Sequence, residues 1–470
     1  MAQAKMAASA QVSPRVQVIA PAHLGTTAVA VLRARGIDAR VVETPEPSAI
    51  GDDVVAWALA SPPTPAATLA LGNTCARAAA AGRPVCLLAP AVRGTGRTAI
   101  ERAAALSYLR VHGAALGHDV DAWIEAVVML VKLGLPSGPM AAVVAPAGSW
   151  LEAQALVMAA DAETLGTRPP VIGGDEPTDV VLFDPALGAP PASVPGLHIP
   201  CAARSELADD RALLFGARAA LGAITVLGRA AERIAVGLGP APAEASAELA
   251  IDAEQLQRQL GKLGGGRVGD HETKVLLKAY GVPITRQAVA TTPSAAVKLA
   301  RRVVYPVELK PWGNDLPTEP AGCPVEKGVS SDALVRHGFT AVLTAAGKPP
   351  SAEASAVIVR ETPPAGREVM VSLIELPSLG WTVVLDAPGG ALAAAPAPLR
   401  LIDAQRLAAQ VVSSRAGDAE PDRIGLANLL RRASHLAVDV TRLARLELPR
   451  VVIGGRGART LVIDAFAELR

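Results

Sequence analysis

Aromatic residues are scarce: five Trp, three Tyr and four Phe in 470 residues. The core must therefore be aliphatic, and Ala supplies much of the 50% hydrophobic content. Net charge is also lacking. The 45 basic residues and 44 acidic residues balance to +1, which leaves no basic field to release counterions from a polyanion and excludes nucleic acid as a partner. Long unbroken apolar runs are absent. The longest uncharged stretch, Val54 to Ala76, contains Pro62, Pro63 and Pro65, whereas a spanning helix needs about 20 consecutive apolar residues. No membrane association is expected. Met1 to Pro14 is rich in Ala, Ser and Gln with one Lys, without the apolar centre of a signal peptide. Cysteine is sparse too. Cys75, Cys86, Cys201 and Cys323 show no CxxC or CxxH spacing, so neither a zinc site nor a disulfide framework is expected. They read as small buried apolar residues in a reducing, cytoplasmic setting. A mean hydropathy of +0.33 with 19% charged residues excludes general disorder.

What is present is alternation. Over the first half, short apolar runs alternate with helical patterns. Val16 to Ala20 reads as a strand, Thr26 to Arg35 as a helix stopped by Gly36, and Asp38 to Val42 as a strand. Asp52 to Leu59 reads as a helix, Thr68 to Leu71 as a strand, Ala76 to Ala81 as a helix and Pro84 to Leu88 as a strand. A second series opens at Met140 to Val144, includes Asp179 to Phe183 and a helix around Arg211 to Ile224, and runs to about Ile234. Such alternation predicts parallel sheets with helices on both faces. Gly237 to Ala247 is small and Pro-rich, and reads as a linker. A helix over Asp252 to Leu263 follows, then Gly264-Gly265-Gly266. Pro185 to Pro200 and Pro388 to Pro398 read as loops.

Residues 271–310 carry the most information. A helix bearing Glu272, Lys274, Leu276 and Leu277 stops at Tyr280-Gly281. Val282-Pro283 starts an extended segment. A helix over Ser294 to Arg301 leads to the strand Tyr305-Pro306-Val307-Glu308-Leu309-Lys310. A Lys closing a buried strand is costly unless it meets an anion, and a nucleotide phosphate is the obvious one.

This segment resembles the start of the ATP-grasp domain of the NDP-forming acyl-CoA synthetases, the relatives of succinyl-CoA synthetase. Their pattern runs approximately E-x-K-x-L-L-x-x-Y-G-I/V-P and later Y-P-V-x-L-K. Ala356 to Glu361 resembles the family's adenine-hinge strand. Gly366 to Val371 resembles its G-x-E-V-x-V, and Val462 to Ala465 its closing strand. The resemblance implies that Lys310, Glu361 and Glu368 bind ATP or ADP, and that Asp464 holds Mg²⁺, a cation that favours hard oxygen ligands. On this reading Lys310→Met abolishes ATP binding and leaves the melting temperature near wild type.

The upstream half resembles the family's two flavodoxin-like ligase domains. Ala20 to Gly25 stands where the family has S-x-S-G-A-L-G, Met140 to Asp161 resembles the opening of the second domain, and His198-Ile199-Pro200 resembles its G-I-P turn. The implied architecture is two doubly wound parallel-sheet domains, at 15–136 and 137–236, a linker and helix at 237–268, and an α+β ATP-grasp domain at 269–470.

The departures from the family cluster at its chemistry. Its glycine loop after Y-P-V-x-L-K has only Glu326-Lys327-Gly328-Val329 as counterpart. Leu376-Pro377 replaces its Asp-Pro. Ala391 to Pro398, after Gly389-Gly390, carries none of its acidic residues. Leu448-Pro449 replaces its Asn-Pro. Glu101 to Leu106 stands where a phosphoryl-carrying His lies, and Arg102 cannot relay a phosphoryl group as imidazole does. His112 and His118 lie downstream. They read as surface histidines or as a shifted carrier, and His23 reads as a surface residue. The CoA-binding Rossmann domain has no counterpart, and Gly94-x-Gly96-x-x-Ala99 reads as an exposed loop. No catalytic residue is assigned. Two functions remain open. One is an acid–CoA ligase homologue or subunit, with CoA reached through a CoA-binding partner chain or a homo-oligomer. The other is an inactive paralogue that binds nucleotide or acyl-CoA, or is purely structural.

Overall fold

In a computed structural model, the structure describes residues 15–44, 50, 52–94, 96–165, 169–173, 177–191, 193–203, 211–348, 355–388, 391–412, 421–455 and 458–470. Met1 to Pro14, Thr95 and Gly389-Gly390 lie outside the described residues. The chain divides into two compact units, Met1–Val92 with Ala105–Gly239, and Arg93–Ala104 with Pro240–Arg470.

The first unit contains two five-stranded sheets. The first comprises β1 (Val16–Ile19), α1 (Ala22–Ala34), β2 (Ala39–Val41), β3 (Val54–Ala58), α2 (Pro65–Ala80), β4 (Cys86–Leu88), α3 (Arg97–Val111, divided between the two units), β5 (Ala115–Gly117) and α4 (Val120–Lys132). Its strand order is β2-β1-β3-β4-β5, and every pairing is parallel. The second comprises β6 (Ala141–Val144), α5 (Trp150–Leu165), β7 (Val171–Ile172), β8 (Val180–Phe183), β9 (Leu197–Ala202), β10 (Leu214–Phe215) and α6 (Ala217–Val236). Its order is β10-β9-β8-β6-β7, again parallel throughout. Both sheets thus have the order 2-1-3-4-5 in their own numbering. Alternation along β3 explains why its residues are apolar on both sides. Val54, Ala56 and Ala58 join one core with α1, α4 and α6, and Val55 joins another with Leu71, Cys75 and Leu109.

Two expectations fail here. Residues 54–58 form a strand, not a helix, because Val54 and Val55 are β-branched and fully buried within the sheet. Thr68 to Leu71 lies inside α2. That helix starts earlier, where Thr64 accepts from the Ala67 N–H at 3.4 Å and Pro65 occupies the first turn. The Thr64-Pro65 start signal was in the sequence and was masked by the apolar run after it. The helix expected around Arg211 to Ile224 begins only at Ala217, after strand β10, at Gly216 with φ of 79°. All four cysteines are buried and free, as expected.

The second unit opens with a short 3-10 helix, Ala243–Leu249, within and beyond the expected linker. Then come α7 (Ala253–Leu260), β11 (Gly266–Val268), α8 (Asp270–Ala279), β12 (Gln287–Ala290), α9 (Pro293–Val303), β13 (Val307–Pro311), β14 (Glu326–Val329), α10 (Asp332–Ala345) and β15 (Val357–Glu361). The chain ends with β16 (Gly366–Leu376), β17 (Gly380–Ala387), β18 (Ala391–Pro396), α11 (Leu401–Val411), α12 (Arg423–Asp439), β19 (Leu443–Gly454) and β20 (Leu461–Leu469). Two antiparallel sheets result, β12-β15-β13-β14 and β11-β20-β19-β16-β17-β18.

Local signals account for the helices. Thr292 and Ser331 accept from Ala295 N and Leu334 N and cap α9 and α10. The expected stop after Tyr280 is present: Gly281 has φ of 67°, and an added Cβ there would lie 2.6 Å from Arg432 Nη1. Two segments read as Pro-rich loops contain strands. β9 begins at Leu197, and β18 covers 391–396 as an edge strand, where proline is tolerated. Among the described residues, no helix is long and apolar enough to cross a membrane.

Candidate functional site

β13 is buried at every position. Its alternation sends Val307 and Leu309 into the aliphatic core of α9 and α10. Glu308 and Lys310 are thereby left on the opposite face. On β15, directly opposite, Arg360 pairs in register with Glu308 and Ile358 with Lys310. β20 of the other sheet supplies Asp464, which is 1% exposed. The Lys310 Nζ donates to Asp464 Oδ1 at 2.5 Å. The other oxygen, Oδ2, accepts from the Glu319 N–H at 2.7 Å.

The pair belongs to a larger buried network. Asp270, in the first turn of α8, accepts from Ala465 N at 3.0 Å and from Lys274 Nζ. Its Oδ2 lies 3.9 Å from Lys310 Nζ. Lys274 has no exposed surface and also donates to Thr285, Gln287 and the Ile463 carbonyl. Arg360 binds Glu308 through Nε at 3.0 Å, and it also reaches Glu319 and the Ile463 carbonyl. Arg450 joins Glu319 at 3.0 Å to Glu368 at 2.8 Å.

This network sets the charge states. Burial opposes the charge of Lys310, but Asp270 and Asp464 outweigh it and raise its pKa. Burial drives Lys274 down to about 8, against the pull of Asp270. Burial would raise Asp270 and Glu319, but Lys274 and Arg360 respectively lead the cations that hold them below their ordinary values.

Lys310, Asp270 and Asp464 line a recess bounded by Arg267, Gly313 and Phe466. The Arg267 guanidinium stacks over the Phe466 ring at 4.7 Å. Of the four residues singled out in the sequence, Lys310 and Asp464 meet at this recess. Glu368 is half exposed and reaches the pair only through Arg450 and Glu319. Glu361 projects from the other face of β15, where it binds Arg286 Nε at 2.6 Å and Arg286 N at 2.8 Å. The structure does not bring it to the recess.

Sequence reasoning assigned no role to Asp270, Lys274, Glu308, Glu319, Arg360 or Arg450. For three of them a signal existed: Glu308 stands inside a buried apolar strand, and Asp270 and Lys274 have i,i+4 spacing on a helix.

The donor set does not fit a resident Mg²⁺. Each oxygen of Asp464 already accepts from a protein donor, and Asp270 is engaged by Lys274 and Ala465 N. Among the described residues, no three or more His, Cys, Asp and Glu side chains group to hold a metal ion.

A family model described as an ATP-grasp domain matches residues 262–469. Acetate–CoA ligase [ADP-forming] I of Archaeoglobus fulgidus is 25% identical over 252 residues, covering 50% of this chain and 36% of that protein. The beta subunit of acetate–CoA ligase [ADP-forming] I of Pyrococcus furiosus is 30% identical over 119 residues, covering 25% of this chain and 51% of that subunit. Residues 262–469 of this chain are thus an ATP-grasp domain, and the chain is similar to ADP-forming acetate–CoA ligases. The chain spans about a third to a half of the length of these relatives. A solved acetyl-coenzyme A synthetase 1 of Ca. Korarchaeum cryptofilum, in complex with coenzyme A and Ca-AMPCP, is 24% identical with a TM-score of 0.41, over 46% of this chain and 100% of that one. The recess thus lies within the ATP-grasp domain, on strands from both of its sheets.

In the first unit, Gly148 (φ of 77°) precedes α5, but its N–H is taken by Glu152 at 2.5 Å, and Trp150 Nε1 donates to Asp184. The turn therefore carries its own carboxylates. His112 and His118 each have Nδ1 at 2.7 Å from a backbone carbonyl, those of Tyr108 and Ala89.

Proposed function

We propose that this chain is a nucleotide-binding homologue or subunit of the NDP-forming acyl-CoA synthetases that takes ATP or ADP at the Lys310–Asp464 recess. The observation that carries the reading is the meeting of a buried Lys on β13 with the recess between the two sheets of an ATP-grasp domain. There Lys310 can exchange its carboxylate partner for a phosphate oxygen, and the Arg267–Phe466 stack offers a flat surface to a base. The upstream unit reads as two flavodoxin-like ligase domains at 15–136 and 137–236, supported by the shared 2-1-3-4-5 strand order. The linker at 237–268 and the ATP-grasp domain at 269–470 complete the arrangement. Because one relative is a beta subunit, a CoA-binding partner chain in the cytoplasm is part of the proposal.

A second reading is a paralogue that binds nucleotide without transferring a phosphoryl group. It is favoured by Glu101 to Leu106, where Arg102 and no His is present, and by a site whose ions already pair with one another.

Calorimetry of the full chain with ATP, ADP and CoA tests both readings. Micromolar nucleotide affinity supports the site. Absence of binding up to millimolar nucleotide overturns it and leaves a structural role.

A further inference from the structure

The ion pairs at the recess carry a consequence for the metal. Two carboxylates, Asp270 and Asp464, line it beside Lys310, and a second ammonium, Lys274, lies behind them. All four side chains are at least nine-tenths buried. Their charges cancel in pairs: Lys310 with Asp464 at 2.5 Å, and Lys274 with Asp270 at 3.1 Å. The Glu319 N–H holds the other oxygen of Asp464, and the Ala465 N–H donates to Asp270 Oδ1, while Lys274 Nζ reaches both Asp270 oxygens.

A divalent cation here would have to displace a lysine from each carboxylate it binds. Mg²⁺ demands oxygen ligands at about 2.0–2.1 Å in octahedral geometry and gives up its waters reluctantly. It would also sit beside the ammonium it displaced, in a buried site where like charges repel strongly. The Glu319 carboxylate, next along the chain of contacts, is already bridged by Arg360 and Arg450.

We propose that the Lys310 ammonium is the recess's built-in counter-cation, so that the recess has no divalent-metal site and the nucleotide it takes is taken without metal. The first half stands on the geometry alone. The second half rests on the nucleotide reading above.

The test uses the wild-type chain and Mn²⁺ followed by electron paramagnetic resonance. Titration of Mn²⁺ to about millimolar should leave the free-ion signal undiminished. A single-site loss of signal that Asp464→Asn removes overturns the proposal. In Lys310→Met the carboxylates lose their cation, so Mn²⁺ should raise its melting temperature by several degrees while leaving that of the wild type unchanged. An equal response in both chains also overturns it. Should that variant fail to fold, the wild-type titration still decides.

Calorimetry with ADP in EDTA and then in Mg²⁺ addresses the second half. Affinities within about threefold of each other are expected, and a tightening of about tenfold or more by Mg²⁺ overturns that half. Absence of ADP binding in both buffers overturns the nucleotide reading and the second half with it. The Mn²⁺ result stands by itself.

Discussion

Lys310 and Asp464 stand 154 residues apart in the chain and meet at 2.5 Å, buried between two sheets. The lysine at the end of a buried strand has met its anion, and the anion is a side chain of the same domain. The contact ties the first strands of the ATP-grasp domain to its last.

That pairing reverses one expectation from the sequence. Lys310→Met was expected to leave the melting temperature near wild type. With Lys310 gone, Asp464 is a buried carboxylate without its cation, and the loss is about 3–5 kcal/mol. Urea unfolding of the variant measures it. Lys310→Met combined with Asp464→Leu removes both charges and should recover most of the loss, because replacing a whole buried pair is often close to neutral. A single variant as stable as wild type would show the pair to be energetically idle.

Acid should weaken this domain through the same network. Asp270 and Glu319 have folded pKa values below their ordinary 3.8 and 4.5. In acid the unfolded chain therefore binds more protons than the folded one. The stability from these groups is complete above their ordinary values and is lost as pH falls through the folded ones. The melting temperature should hold steady down to about pH 5 and drop below it, with a shallower drop in Glu319→Gln. Lys274 acts at the other end. Burial holds it near 8 against an ordinary 10.5, so its cost to stability relaxes as pH rises between those values. A flat profile down to pH 3 would contradict the acid assignment.

The upstream unit should not carry phosphate. Both candidate histidines have Nδ1 against a backbone carbonyl, and Arg110 Nη2 lies 3.3 Å from His118 Nε2. Burial, the largest influence on each, pulls both pKa values below the ordinary histidine value. Incubation with γ-labelled ATP should leave no acid-labile phosphate on the chain. Label mapped to His112 or His118 would make this unit a phosphoryl carrier.

Legibility in the sequence followed the range of the interaction. The stop at Tyr280-Gly281 and the strand read over Tyr305 to Lys310 rest on neighbours along the chain and were readable, whereas the last strand was marked only over Val462 to Ala465, by resemblance. The elements at 54–58 and 65–80 were exchanged, because a short Ala-rich apolar run fits either period when burial surrounds it. Glu361 was drawn toward the nucleotide by motif position alone. One step of strand alternation places it on the other face, beside Arg286.

By itself the sequence determined the ATP-grasp character of the C-terminal half, the parallel α/β character of the N-terminal half and the four buried free cysteines. The first came from the resemblance of the motifs in 271–310, 356–371 and 462–465 to those of a known family; the other two follow from hydrophobic period, turn residues or composition, which are local properties. Only the tertiary structure decided what Lys310 touches. Whether a buried ammonium faces a ligand or a carboxylate depends on which residues a distant strand brings to within about 4 Å of it, and Coulomb energy at that range in a buried site outweighs local preference.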